Sequence, residues 1–281
     1  MKKIIWLLAA LLLLALTGYS ALGGADNAWS RRLCAAIDAG DTERAIALMD
    51  EGMARGYSMD TLDHPHSFLN VICDIDRTTP LANAIRAGNV DSVRALLERG
   101  ACPNEFGSTG AGGKGNGEAP LTCVLSNPLY ARTDMEMLRL LLAYGADFSA
   151  GSVGTLCAMM AAHRRVDDSR QPEGENTPEN VAAGVTEVFR FVAEHVDVHE
   201  KWSGWTVLHM AAIRGNWLLC RVLVEEYGLD ISARVYDGRS AYDMALERNA
   251  PEDVLELLYT PPVQYTTPPT VAPLPLPDRV R

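Results

Sequence analysis

The sequence predicts an all-α protein, a solenoid of about six helix-turn-helix units with short turns or hairpins between them. Three observations predict this fold. A short phrase recurs along the chain, a second amphipathic segment follows each copy, and a glycine stands where the first segment must end. Because one such unit cannot bury its apolar stripe alone, neighbouring units must stack and share one continuous core.

The recurring phrase reads LHMAAIRGN at 208–216, LANAIRAGN at 81–89 and LCAAIDAGD at 33–41. Each copy has a leucine, an alanine three residues later and a glycine at the seventh step. Glycine adopts positive φ without steric cost, so it can end a helix in a tight turn. The segment after Gly88, NVDSVRALLERGACPN, has apolar residues at helical spacing. The pattern therefore predicts two helices in each unit.

Two copies of the phrase resemble the opening of an ankyrin repeat, T-P-L-H-x-A. TTPLANA at 78–84 matches it except that Ala82 replaces the histidine, and GWTVLHMAA at 204–212 matches it with Val207 in place of the proline. The segments that follow are similar to the family's second helix and closing turn. The chain thus resembles the ankyrin-repeat family over residues 30–259.

The resemblance implies a fold and a mode of recognition. Ankyrin repeats bind other proteins through their turn tips and the exposed side of each first helix. The family's threonine and histidine hydrogen-bond within and between turns, which implies a structural role for Thr206 and His209. Another protein is therefore the expected partner.

We place the predicted units near 30–77, 78–117, 118–152, 153–204, 205–238 and 239–259, with anchors at Leu33, Leu81, Leu121, Leu156, Leu208 and Tyr242. The last two anchors are 34 residues apart, close to the family's repeat of about 33 residues. Elsewhere extra residues lengthen the spacing. Those at 53–77 and 105–118 enlarge turns between units, and those at 126–133 and 162–180 enlarge loops between paired helices.

The first 25 residues predict a signal peptide or an N-terminal membrane anchor. Two lysines precede an apolar run at 4–16, and small residues then permit cleavage after Ser20, Gly23 or Ala25. Uncleaved, the segment approaches the roughly 20 residues that span a bilayer. Both interpretations stay open. In each, the lysines remain inside and the repeats face the periplasm, either free or anchored at the inner membrane.

The last residues, 260–281, predict a disordered tail. Their prolines remove backbone donors and favour an extended polyproline conformation, so this segment cannot continue the solenoid.

The net charge of −11 argues against a nucleic-acid partner, because phosphates require a cationic surface. It also argues against attraction to anionic lipid, so membrane contact is expected only through the N-terminal segment, if that is uncleaved.

No catalytic, cofactor or metal site is predicted. His195 and His199 have the spacing of two metal ligands on a helix, but the alignment places the first at the end of a second helix and the second in a turn. DTLDHPHSF at 60–68 offers acids and histidines without a further ligand set. The chain lacks a phosphate-binding G-x-x-x-x-G-K motif and a G-x-S-x-G nucleophile motif. We therefore expect a binding protein and not an enzyme.

The six cysteines include no C-x-x-C pair. Cys34, Cys123, Cys157 and Cys220 stand at helix positions where a small buried residue is expected. Cys73 and Cys102 lie in turns that flank the second unit, and their pairing stays open because sequence does not show their Cβ separation.

The predicted binding residues are Asn83, Arg86, Trp202, Trp205, Met210 and Ile213. Four of them lie two and five steps beyond a motif leucine, where a first helix exposes variable positions. The two tryptophans lie at a turn, where they either anchor a partner or fold over the 162–180 insertion. The second helices instead carry acids that predict a solvated acidic back: Glu43, Asp91, Glu136, Glu187 and Glu252.

The sequence thus predicts a protein-binding module in the bacterial periplasm or on the outer face of the inner membrane, a scaffold or accessory factor for an envelope protein. The alternative is an immunity or inhibitor protein that neutralises an exported toxin or enzyme. The fold alone does not choose between them.

Overall fold

Twelve helices in six consecutive pairs make up the part of the chain that the computed structural model describes, residues 24–60, 79–105, 119–126, 131–149, 152–164 and 177–259. The pairs are α1 Gly24–Asp38 with α2 Thr42–Ala54, α3 Pro80–Arg86 with α4 Val90–Glu98, α5 Pro120–Ser126 with α6 Ala131–Ala143, α7 Val153–Ala162 with α8 Pro178–Ala193, α9 Val207–Arg214 with α10 Trp217–Glu225, and α11 Ala241–Glu247 with α12 Glu252–Leu258. Within those ranges there is no strand, only two isolated β-bridges. The predicted all-α solenoid is confirmed.

The helices form two layers. Within each pair, the two helices pack against each other. Between pairs, each first helix packs on the next first helix, and each second helix packs on the next second helix. One hydrophobic cluster runs through the stack from Trp29 to Leu258. Stacking therefore creates the continuous core that no unit could build alone.

The predicted anchors differ in burial. Leu33, Leu81, Leu121 and Leu208 are buried, whereas Leu156 and Tyr242 are only half-buried. Tyr242 belongs to the last pair, where its ring meets Tyr259 edge-on at 5.6 Å between centroids. In α7 the buried stripe lies on both sides of Leu156, at residues that are mostly small: Val153, Cys157, Ala158, Met159, Ala161 and Ala162.

Helix ends follow local chemistry. The Thr79 side chain caps α3 by accepting from the Ala82 amide, and Pro80 occupies the first turn. Gly215 ends α9 at φ 72°, a left-handed conformation that favours glycine. Local sequence signals, a capping threonine at the start and a glycine at the end, therefore specify both ends of a first helix.

Several predicted segments lie outside the described residues: 1–23, 61–78, 106–118, 165–176 and 260–281. α1 starts at Gly24, before the predicted start of the first unit near 30. The loop between α5 and α6 is shorter than the predicted 126–133, because α6 already begins at Ala131. None of the described helices is both long and apolar enough to cross a bilayer.

The second-helix surface differs from the predicted acidic back. The predicted acids are exposed, but arginines interleave with acids across successive second helices. The ion pairs that join neighbouring second helices are Asp50–Arg99, Arg94–Glu136, Arg190–Glu226 and Arg221–Asp253. Exposed pairs each contribute only about 0–1 kcal/mol, so they add little to the stability of the stack. The back of the solenoid is therefore a mixed-charge surface.

A buried ion pair joins the third and fourth units. Arg164, directly after α7, donates to the Asp134 carboxylate near the start of α6, and both side chains are almost fully buried. Among the residues that the structure describes, the Nε and Nη1 atoms of Arg164 have no hydrogen-bond partner. Asp134 therefore supplies the carboxylate that compensates this buried guanidinium.

Candidate protein-binding surface

Two neighbouring turns carry exposed aromatic side chains. The first is a tight turn in which Trp202 and Trp205 each donate a backbone N–H to the other's carbonyl at 2.9 Å. Its two central residues, Ser203 and Gly204, have φ of 49° and 84°. Positive φ at both positions is the requirement of a type I′ turn, and glycine meets it without strain. Trp202 is 41% exposed at this turn.

The second turn precedes α11. The Val235 amide donates to the Arg239 carbonyl at 3.0 Å, and the Gly238 amide donates back to Val235 at 2.9 Å. Arg239 also donates to the Asp237 carboxylate at 2.8 Å, so these two charges of the turn pair with each other. Tyr236 stands at the tip with 84% of its surface exposed.

Trp202 and Tyr236 occupy the same position in successive units, four residues before the helix-capping residues Thr206 and Ser240. The two turns lie side by side, since a Cβ on Gly204 would be 4.0 Å from the Tyr236 backbone nitrogen. We call Trp202 and Tyr236 the aromatic tips. Two large exposed rings thus stand on adjacent turns, and backbone hydrogen bonds hold each turn.

Trp205 has a different role from Trp202. It is half-buried, packs against the core and meets the ring of His209 edge-on at 6.0 Å between centroids. It does not stand at the exposed tip, so it supports the turn from behind. The alternative in which the tryptophans fold over the long insertion involves 165–176, which lies outside the described residues.

His209 completes a capping box with Thr206. Its Nδ1 accepts a hydrogen bond from the Thr206 backbone amide at 3.2 Å and lies 2.7 Å from the Thr206 hydroxyl oxygen. Burial lowers the pKa of His209, although the backbone of Ala233 and Arg239 favours its protonated form. The neutral ring therefore holds the helix start, as the family resemblance implies.

The other predicted residues are divided between two places. Met210 and Ile213 are half-buried on α9 and pack partly against the core. Asn83 and Arg86 lie on α3, and the stack places α5 and α7 between α3 and α9. The Asn83 amide donates to Asp38 of α1 at 3.0 Å, so it joins two first helices, while Arg86 is exposed. The structure brings together the α9 residues and the tryptophans, and it leaves the α3 pair apart.

Sequence reasoning missed Tyr236. The signal was available, because the capping Ser240 fixes the same offset that places Trp202 relative to Thr206. In this unit Tyr242 replaces the motif leucine, so the motif alone does not mark the turn.

The two histidines with metal-ligand spacing lie in different surroundings, and two of the buried thiols have raised pKa values. His195 stacks on Phe148 at 5.3 Å between centroids, and His199 lies in a turn where its amide donates to Asp197. No cluster of three metal-ligating side chains occurs among the residues that the structure describes. Burial raises the pKa of the Cys157 thiol, and raises that of Cys220 to about 12. Neither thiol is a ready nucleophile.

The remaining cysteine expectations concern burial and pairing. Cys34, Cys123, Cys157 and Cys220 are buried as small core residues. The Cys73 and Cys102 pairing stays a hypothesis, since Cys73 lies outside the described residues.

Comparisons with known proteins agree with this architecture. Models of the ankyrin repeat match residues 76–107 and 203–233. No curated protein matches the sequence significantly. One similar solved structure is a chain of the complex between the predatory endopeptidase Bd0816 from Bdellovibrio bacteriovorus and the immunity protein Bd3460. It matches at a TM-score of 0.52 and 21% identity, over 82% of this chain and 97% of that chain. At that identity the likeness concerns the fold alone. The chain therefore carries ankyrin repeats at residues 76–107 and 203–233, within a solenoid of six helix pairs.

Proposed function

We propose that this protein is an exported protein-binding module that acts in the periplasm or on the outer face of the inner membrane. Ankyrin repeats are protein-interaction modules, and the aromatic tips are the observation that carries the binding proposal. Large aromatic side chains contribute a disproportionate share of interface energy when a partner covers them. The export proposal rests on the two lysines and the apolar run at 4–16.

The geometry of the tips suits recognition of a folded partner. Both turns are held by backbone hydrogen bonds, so little conformational freedom is lost when a partner docks. The charges beside Tyr236 are already paired, since Arg239 binds Asp237 and Arg234 donates to the Gly238 carbonyl at 2.7 Å. A partner that covers the Tyr236 turn therefore buries aromatic area beside charges that already have partners.

The first role that we propose is that of a scaffold or accessory factor for an envelope protein. Envelope extracts are passed over the immobilised protein, the retained partner is identified, and its affinity is measured by calorimetry. Replacing both tips, Trp202→Ser with Tyr236→Ser, should weaken the Kd by about tenfold or more, because a hot-spot residue contributes at least about 1–2 kcal/mol.

Tyr144 provides the matched control. It is 40% exposed at the end of α6, so Tyr144→Ser removes a similar aromatic area from another part of the stack. This variant should bind like the unaltered protein. Equal affinity of the tip variant and the unaltered protein would show that the partner docks elsewhere.

The second candidate role is that of an immunity or inhibitor protein. The observation that favours it is the similar fold in a solved complex of an endopeptidase with an immunity protein. The purified protein is added to its captured partner while the partner's activity is followed. An inhibitor abolishes the activity at equimolar amounts, whereas a scaffold forms the complex and leaves the activity intact.

A further inference from the structure

A basic groove lies on the second-helix side of the solenoid, away from the aromatic tips. Its lining residues are Arg94 of α4 together with Arg132, Glu136, Arg139 and Leu140 of α6, around a volume of about 360 Å³. Arg132, Glu136 and Arg139 are spaced four and three residues apart, which places them on one face of α6. The groove thus combines three guanidinium groups from two repeats with one carboxylate and an apolar wall.

Two of the three arginines are held by neighbours. Arg94 reaches Glu136 at 3.5 Å across the junction between α4 and α6. The guanidinium of Arg139 lies over the Phe191 ring of α8, 5.6 Å from its centroid, a cation–π contact that orients it. Ordering these long side chains in advance reduces the entropy that a ligand must overcome.

The charge of this groove differs from that of the other second-helix junctions. There, an arginine pairs with an acid of the neighbouring unit, as in Arg99–Asp50, Arg190–Glu226 and Arg221–Asp253. Here one glutamate faces three arginines, a local excess of two positive charges in a chain whose net charge is −11. Within the described part of the chain, no ion pair joins Arg132 or Arg139 to a carboxylate.

We propose that this groove binds a phosphate monoester. Such a group carries a charge of about −2 at neutral pH, which balances the excess charge of the groove. Its three oxygens accept hydrogen bonds from several guanidinium groups at once, whereas one carboxylate offers two oxygens in a single plane. The volume exceeds that of a phosphate ion, and Leu140 supplies an apolar wall for a small organic substituent. Two sources carry this chemistry, a soluble phosphorylated metabolite and the headgroup of a phosphomonoester lipid.

Calorimetry on the whole protein tests the proposal with four probes: inorganic phosphate, glycerol 3-phosphate, vesicles containing phosphatidic acid, and citrate as an anion without phosphate. Arg132→Gln with Arg139→Gln should weaken phosphate binding about tenfold or more, because hydrogen bonds to charged groups contribute about 1.5–3 kcal/mol each. Glu136→Gln should strengthen binding, since it removes the only negative charge of the lining. If these side chains had only a structural role, the arginine variant and the Glu136 variant would not change phosphate affinity in opposite directions.

Arg44→Gln is the control, because Arg44 is an exposed arginine on α2, another second helix. It should leave both affinity and melting temperature unchanged. Binding of the soluble ester alone would assign the soluble source, and binding of the vesicles would assign the lipid. Absence of phosphate binding, citrate binding more tightly than phosphate, or an equal loss in the Arg44 variant would overturn the proposal.

Discussion

The indole ring of Trp29 fills the space in front of Gly52. Trp29 is almost fully buried, and its Nε1 donates to the Leu48 carbonyl of α2 at 2.6 Å. A Cβ at residue 52 would lie 2.9 Å from this nitrogen and closer still to two ring carbons. Gly52 is therefore the position at which α2 admits the tryptophan of α1.

This contact predicts an inverted effect of a helix-favouring substitution. In an exposed helix interior, Gly→Ala stabilises by about 1 kcal/mol. Gly52→Ala should instead lower the free energy of unfolding by about 1–3 kcal/mol, because overpacking displaces the buried ring. Urea denaturation followed by circular dichroism measures the change.

Trp29→Leu supplies the control for Gly52→Ala. In that background the smaller side chain leaves room for the new methyl group, so adding Gly52→Ala should cost little or stabilise the protein. A loss of the same size in both backgrounds would mean that the ring is not the cause.

The stack predicts that Leu81→Ala is far more harmful than a loop deletion. Leu81 is buried in the continuous core, and such a truncation typically costs about 2–5 kcal/mol. Deleting the glycine-rich residues 108–117 removes almost no apolar side chain and should cost much less. Thermal melts compare the two variants, and equal losses would contradict the assigned core position.

The buried pair predicts a large cost when its acid is removed. Asp134→Leu leaves the Arg164 guanidinium buried without its carboxylate, which typically costs about 3–5 kcal/mol. Replacing both residues, Asp134→Leu with Arg164→Met, should cost less than the single change. A double-mutant cycle by chemical denaturation measures the coupling, and additive losses would argue against it.

His209 predicts a dependence of stability on pH. Because its pKa is lowered in the folded protein, the unfolded chain binds the proton more readily, and stability falls as pH drops below about 6.5 toward the folded pKa. His163, which lies 3.2 Å from Arg214, has a lowered pKa for the same reason of burial and contributes in the same direction.

Melting temperatures between pH 7 and pH 5 check this prediction. His209→Gln should reduce the slope of stability against pH in that window while lowering the stability at pH 7. An unchanged slope in the His209 variant would assign the dependence to other groups.

The proposed export predicts that an alkaline phosphatase fusion to this protein is active. Alkaline phosphatase joined after residue 30 should be active, because the enzyme requires the oxidising periplasm to form its disulfides. A cytoplasmic fusion that lacks residues 1–25 should be inactive at the same expression level. An inactive full fusion that is well expressed would overturn the proposed location.

The sequence by itself determined the helix pairs, because caps, turn glycines and apolar spacing are local properties. Thr206 and His209 could be assigned to a helix start since their hydrogen bonds join residues three apart. The same pattern placed Leu81 and Leu208 in the core. Of the candidate surface, it placed the two tryptophans at a turn but did not choose between a partner anchor and packing on the insertion. The offset of four residues from Trp202 to Thr206 is repeated from Tyr236 to Ser240.

Only the tertiary structure decided which distant residues meet. Trp29 and Gly52, Asp134 and Arg164, and the two aromatic tips become neighbours through packing of helices and turns that the chain separates by tens of residues. The same packing half-buries Met210 and Ile213 and separates them from Arg86. Side-chain burial in a solenoid depends on how each unit is rotated against the next. The apolar pattern of a single unit does not determine that rotation.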